Sequence, residues 1–165
     1  MRLRLAGTAK ISKNWRDKYV IVLDDFYKGF ALVMLNGKFG LDNTKGEEVV
    51  PPKYDDVNDF YHGFARVQLN GKYGFVNTEG VEIVPPMYDD VWNFNDGFAP
   101  VELNRKYGFI NTQGEEVVPL MYSEKEWTQL QALVGTGEYP GTKEEQYKEA
   151  HEEFQIWKKK NKPWD

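Results

Sequence analysis

A chain of 165 residues, 41% of them hydrophobic, is long enough for one packed domain or for one repeat array with an appendage. It contains no cysteine, which excludes disulfides, thiolate chemistry and cysteine-ligated zinc. The net charge of −5 is unevenly spread, with sixteen acidic residues against eight basic ones in residues 20–122. Such an acidic body lacks the clustered Lys and Arg that neutralise phosphates, so nucleic-acid binding is not expected.

Residues 1–18 form a basic segment, with six Lys or Arg against one Asp, and are predicted to supply a capping strand. They contain no apolar run of leader length, and no stretch of the chain approaches the about 18 apolar residues of a membrane span. A cytoplasmic protein is therefore expected, and a trimmed exported chain would read the same way. The basic segment is read as a counterweight to the acidic body beside it.

From Tyr19 to Tyr122 the sequence repeats with a period of 34 residues. The markers are Lys38-Phe39-Gly40, Lys72-Tyr73-Gly74 and Lys106-Tyr107-Gly108, and 21 of 34 residues are identical between Asn36–Leu69 and Asn70–Leu103. A fixed period of this length marks units that bury their apolar faces only against their neighbours. Several Gly per unit and a mid-unit Pro-Pro rule out a helical repeat. Phe64-Ala65-Arg66-Val67-Gln68-Leu69 alternates as a strand with one buried face. Asn70-Gly71 then signals a tight hairpin into Lys72–Asn77, and Asn36-Gly37 does the same, whereas Asn104-Arg105 asks Arg to adopt a Gly-like conformation. A turn at Asn77-Thr78-Glu79-Gly80 leads to a third strand, Glu82-Ile83-Val84, predicted to stop at Pro85-Pro86. In the marker tripeptide, the Gly leaves room for a neighbouring ring or backbone, and rings of successive repeats are expected to stack. The expected fold is mainly β: an antiparallel β-meander repeat array with a C-terminal two-helix cap.

The units Gly71-Lys72-Tyr73-Gly74-Phe75-Val76 and Glu82-Ile83-Val84-Pro85-Pro86, with Tyr88-Asp89, resemble the WG-repeat family, also written KWG repeat. The signature Trp is replaced here by Phe39, Tyr73 or Tyr107, which keeps the ring's packing role and removes the indole N–H. The resemblance implies a bacterial or phage-like β-repeat protein, with no common activity and no catalytic residues to carry over. Residues 19–122 would hold three such repeats and a flanking part-unit.

Residues 123–165 change to a helical pattern. Ser123-Glu124-Lys125-Glu126 and Thr142-Lys143-Glu144-Glu145 read as capping boxes. Trp127, Leu130 and Val134 form one apolar stripe, and Tyr147, Ala150, Phe154 and Trp157 form another. These helices are expected to cover the open sheet edge of the last repeat, and a second reading docks the Tyr147/Phe154/Trp157 stripe on another protein.

The catalytic signals are weak. His62 and His151 lie far apart in the chain, which leaves a histidine metal site or a Ser-His-Asp arrangement without support, and both read as incidental. Asp55-Asp56 and Asp89-Asp90 recur with the repeat. Recurrence favours an architectural role at a corner over calcium binding or acid/base hydrolysis, which would need two carboxylates about 5–10 Å apart across one cleft. No catalytic residue, cofactor or metal is expected, and the chain is not read as an enzyme.

Recognition is instead expected where the repeat varies. Leu32/Met34, Arg66/Gln68 and Pro100/Glu102 stand opposite the constant Ala-Val-Leu face, and corner positions vary at Asn58/Trp92 and Tyr61/Asn95. The expected function is a protein-protein interaction module, of inhibitor or immunity type. Its partner-binding candidates are Leu32, Met34, Tyr61, Arg66, Gln68, Trp92, Glu102 and Trp157. The alternative is a carbohydrate or cell-wall binder that stacks sugars on Trp92, Tyr61 and Trp15.

Overall fold

Thirteen strands precede two helices in the computed structural model, which describes residues 3–5, 18–19, 21–27 and 29–161. The chain divides into two compact units, Met1–Met87 and Tyr88–Asp165.

In the first unit, β1 (Leu3–Leu5), β2 (Ile21–Tyr27), β3 (Phe30–Leu35), β4 (Lys38–Asn43) and β5 (Glu48–Tyr54) form one antiparallel sheet in chain order. A second sheet follows from β6 (Asp56–Tyr61), β7 (Phe64–Leu69), β8 (Lys72–Asn77) and β9 (Glu82–Tyr88). The hairpin signals hold: Asn70 and Gly71 take φ of 52° and 74°. Asn104 and Arg105 take 52° and 60°, so Arg does occupy the conformation that Gly favours. Each longer turn is organised by one amide, since Asn77 Oδ1 accepts the N–H groups of Glu79 and Val81 at 3.0 and 2.9 Å.

The Pro-Pro segment does not end its strand as expected. β5 runs through Pro51 and Pro52 to Tyr54, because the two prolines occupy a bulge and so leave no ladder donor unmade. Phe39 pairs with Tyr54 while Leu41 pairs with Val50, so the bulged strand has two extra residues there. The slack carries its backbone over Gly40, where a Cβ would collide with the carbonyl oxygen of Val50 and the backbone of Pro51 and Pro52. Gly74 lies in the same way under Val84 and Pro85, and Gly108 under Val118, Pro119 and Leu120. Backbone, rather than a ring of the next repeat, takes the space that the marker Gly opens.

The two sheets of the first unit stack by unlike faces. Leu32, Leu41, Val50 and Tyr54 of the first meet Val57, Phe60, Ala65, Val67 and Val76 of the second, with the Phe30 and Phe60 rings 5.2 Å apart. Leu32 is therefore 6% exposed and part of the core, which corrects its reading as a partner contact. The opposite face of the first sheet, Ala31 and Val33, packs on Tyr19. Asp42 occupies the position held by Val76 and Ile110 in later repeats and is fully buried, with the Tyr19 hydroxyl 2.9 and 2.8 Å from its two oxygens. Burial raises the Asp42 carboxyl above its ordinary range, against the lowering influence of the Tyr19 hydrogen bond and of Lys18. The basic segment extends this sheet through β1, and Tyr19, just after it, covers the face of Ala31 and Val33.

In the second unit, β10 (Asp90–Val91), β11 (Phe98–Leu103), β12 (Lys106–Asn111) and β13 (Glu116–Tyr122) repeat the meander. The helices α1 (Glu124–Gly135) and α2 (Lys143–Lys160) pack on the face bearing Phe109, Val118 and Tyr122. These positions match Leu41, Val50 and Tyr54, which in the first unit face the next sheet. The helices therefore stand where a further repeat would stack, on a face rather than on the expected edge.

Replacing Gly74 by Ala is predicted to cost about 2–4 kcal/mol, because backbone cannot rotate away as a side chain can. Gly71→Ala has open space around it and meets only the positive φ, for about 1 kcal/mol. Urea unfolding of the two variants measures the difference.

Candidate functional site

Both helices of the second unit begin with the capping boxes expected. Ser123 N–H donates to Glu126 Oε2 at 2.9 Å, and Thr142 N–H donates to Glu145 Oε2 at 2.8 Å. These caps leave the apolar stripes in a defined phase. Trp127, Leu130 and Val134 turn inward from α1, and Ala150 and Phe154 turn inward from α2. The Phe109 ring meets Trp127 at 4.5 Å and Tyr147 at 4.3 Å. Trp157, although on the Phe154 stripe, is 55% exposed, with its ring stacked at 5.8 Å on Phe154.

Two concavities flank α1. The first is a groove of about 500 Å³ between the helices, with Ala132 and Leu133 on one wall, Glu153, Phe154 and Trp157 on the other, and Tyr139 from the connecting loop. Tyr139 donates to Glu153 Oε2 at 2.8 Å. Burial, the Glu153 hydrogen bond and the surrounding carboxylates push the Tyr139 hydroxyl up to about 12. The second is a cleft of about 310 Å³ at the corner before β11, where Trp92 stands among Asn93, Asn95, Asp96, Gln131 and Lys143. Trp92 is 40% exposed and lies 6.1 Å from the Tyr107 ring.

The other predicted contacts are spread out. Met34 is half-buried beside Phe39 in the β3–β4 pairing, and Tyr61 is exposed against the His62 ring at 4.3 Å. Arg66 is half-buried with its guanidinium 5.5 Å from the Tyr73 ring centre, and half-buried Gln68 accepts the Asp55 N–H at its carbonyl. Trp92 and Glu102 both neighbour Tyr107, which Glu102 faces in the β11–β12 pairing and whose ring lies 6.1 Å from that of Trp92. Trp157 lies in the separate helical groove. Trp15 falls outside the described residues.

The paired aspartates act as corner posts. Asp55 Oδ2 accepts Asn70 N–H at 2.8 Å and Asp89 Oδ2 accepts Asn104 N–H at 2.7 Å, while Asp56 and Asp90 accept the N–H groups of Val57 and Val91. The Lys38 ammonium, helped by the Asn70 N–H, holds Asp55 below the usual carboxylate range. Among the described residues no three acidic or histidine side chains cluster as a metal site, and no helix is long and apolar enough to cross a membrane.

A family model described as WG containing repeat matches residues 22–39, 39–73, 73–107 and 107–124, more than half of the chain in four consecutive segments. The chain belongs to the WG-repeat family. Comparison with curated proteins and with solved structures returns no match. Within this WG-repeat protein a tyrosine clasp joins the two sheets of the first unit. Tyr54 donates to Glu82 of the following repeat, and the Lys53 ammonium lies 3.1 Å from the same carboxylate. At the equivalent Tyr88, burial and then the charge of Glu116, the equivalent of Glu82, raise the hydroxyl above its ordinary range. For Tyr122 no further repeat exists, and His151 of α2 takes the carboxylate's place, with Gln155 Nε2 donating to the Tyr122 oxygen at 2.8 Å.

His151 is thus not incidental, and nothing in its sequence spacing marks it, because its partner lies on a sheet 29 residues upstream. Tyr139 was missed as well, although an aromatic in a Gly-rich linker needs a surface to pack on.

With Gln155 donating to its oxygen, Tyr122 is placed to donate its own proton to Nδ1 of a neutral His151. Burial lowers the His151 pKa below 6.5, with Glu152 opposing. A folded pKa below the unfolded one stabilises the fold above about pH 6.5 and is lost as pH falls through the folded value. Thermal melts between pH 7.5 and 5 are predicted to show this loss, and His151→Gln, which keeps an acceptor but cannot be protonated, is predicted to flatten it.

Proposed function

We propose that this WG-repeat chain is a non-enzymatic protein-binding module, in which the β-repeats are the scaffold and the helical cap carries the main contact surface. The observation that carries this reading is Trp157. It stands 55% exposed at the mouth of an apolar groove about 500 Å³ in volume, and Ile156, its neighbour in the chain, is 52% exposed. A large ring beside a preformed apolar recess has the character of a binding hot spot, and solitary domains seldom leave such a pair uncovered. The net charge of −5 suits an inhibitor or immunity-type partner of a basic protein.

A second reading rests on the Trp92 cleft. One exposed indole beside amides, a carboxylate and Lys143 offers a stacking face with hydrogen-bonding groups around it, the combination that saccharides use. Tyr61 is also exposed and would add a separate stacking position.

The test is an affinity capture from host lysate with parent, Trp157→Ala and Trp92→Ala baits, beside a glycan array. A stoichiometric protein captured by the parent and by Trp92→Ala, and lost with Trp157→Ala, is the expected result. Array binding lost only with Trp92→Ala, with no captured protein, would replace the first reading by the second. Trp157→Ala is predicted to shift stability by about 0.5 kcal/mol or less, whereas Trp127→Ala, inside the core, is predicted to cost about 3–5 kcal/mol. Chemical denaturation of both keeps lost binding separate from lost folding.

A further inference from the structure

We propose that the groove between α1 and α2 is a cation-selecting pocket, which takes a lysine or arginine side chain flanked by apolar residues on a protein partner. This rests on the protein-binding reading and specifies the partner's chemistry. Three observations converge on it.

The walls are apolar and aromatic. Ala132 and Leu133 oppose Phe154 and Trp157, and the exposed Trp157 ring, backed by the buried Phe154 ring at 24°, presents the π surface at the mouth. Such a surface attracts ammonium and guanidinium groups, and the aliphatic stem of Lys or Arg covers the remaining wall.

The charge at the loop end is unbalanced. Two carboxylates elsewhere on the cap are paired, Glu144 with Lys148 at 2.8 Å and Glu126 with Lys158. Among the described residues, Glu138, Glu149 and Glu153 have no ion pair. All three act on the Tyr139 hydroxyl at the end of the groove, and Glu153 forms part of its wall. Lys158, the basic residue next to Trp157, is already held by Glu126.

The desolvation cost then selects the occupant. A purely apolar partner would bury the Glu153 carboxylate with only the Tyr139 hydrogen bond to offset its desolvation, whereas a cation over Trp157 and beside Glu153 also balances its charge. A volume of about 500 Å³ exceeds one Lys or Arg side chain, so a neighbouring apolar residue completes the fill.

The test uses the ¹⁵N-labelled full chain at low ionic strength, titrated with hexylguanidinium, hexanol and hexanoate in turn. Hexylguanidinium is expected to shift the Trp157 indole and Leu133 amide signals and to bind about five- to tenfold more tightly than hexanol, with hexanoate weakest. Glu153→Gln keeps an acceptor for Tyr139 and is expected to bring hexylguanidinium down to the hexanol level, while Trp157→Ala weakens both. Equal binding of hexanol and hexylguanidinium, or shifts spread over the acidic surface without a focus at Trp157, would overturn the proposal. Capture of a protein through Trp157 alongside a failed titration would retain the binding reading and reject this chemistry. A successful titration without any captured protein would keep the cation site and reject its protein source.

Discussion

The missing Cβ at Gly40, Gly74 and Gly108 is the constraint on which the rest of this protein depends. Only a glycine lets the following strand pass directly over the β4 or β12 backbone, and only a bulge at the prolines supplies the slack to do so. The bulge returns the strand to pairing opposite Phe39 and Tyr107 at Tyr54 and Tyr122, which are among the most deeply buried large side chains. From there the tyrosine hydroxyl reaches out of its own sheet to Glu82 or to His151. A local steric vacancy is thus converted into a link between successive layers.

A sheet that stacks by one face needs a cover wherever no further sheet packs on it. In the first unit Tyr19 covers Ala31 and Val33 and brings with it the buried Asp42, a polar substitution in an otherwise apolar position. In the second unit two helices supply what a repeat would have supplied: apolar rings for Phe109 and Val118, and a hydrogen-bonding partner for Tyr122. Because a helical pair is rounder than a sheet, it leaves concavities at its margins. The groove at Trp157 lies between the two helices, and the cleft at Trp92 lies between α1 and the corner before β11.

The alternation of faces accounts for the correction at Leu32. Positions that vary between repeats invite a reading as a recognition surface, but in a stacked array both faces of an inner sheet are interior. Leu32 packs in one buried cluster with Ala65 and Val67 of the next sheet and so is not open to a partner. Trp92 and Trp157, at a corner and on the cap, escape this because no layer covers them completely.

Much of the fold was legible in residue order. The 34-residue period, the Asn-Gly hairpins, the two capping boxes and the inward stripes of Trp127, Leu130 and Val134 all follow from short-range backbone and amphipathic preferences, and all are found. The passage of the Pro-Pro strand over Gly74, the pairing of Tyr122 with His151 and the meeting of Tyr139 with Glu153 were settled only in three dimensions. Each depends on which surfaces lie opposite one another after packing. Local sequence determines the shape of each strand, turn and helix because those are governed by neighbours along the chain. The tertiary structure determines the groove, because a concavity exists only between elements and its charge is whatever their packing leaves unpaired.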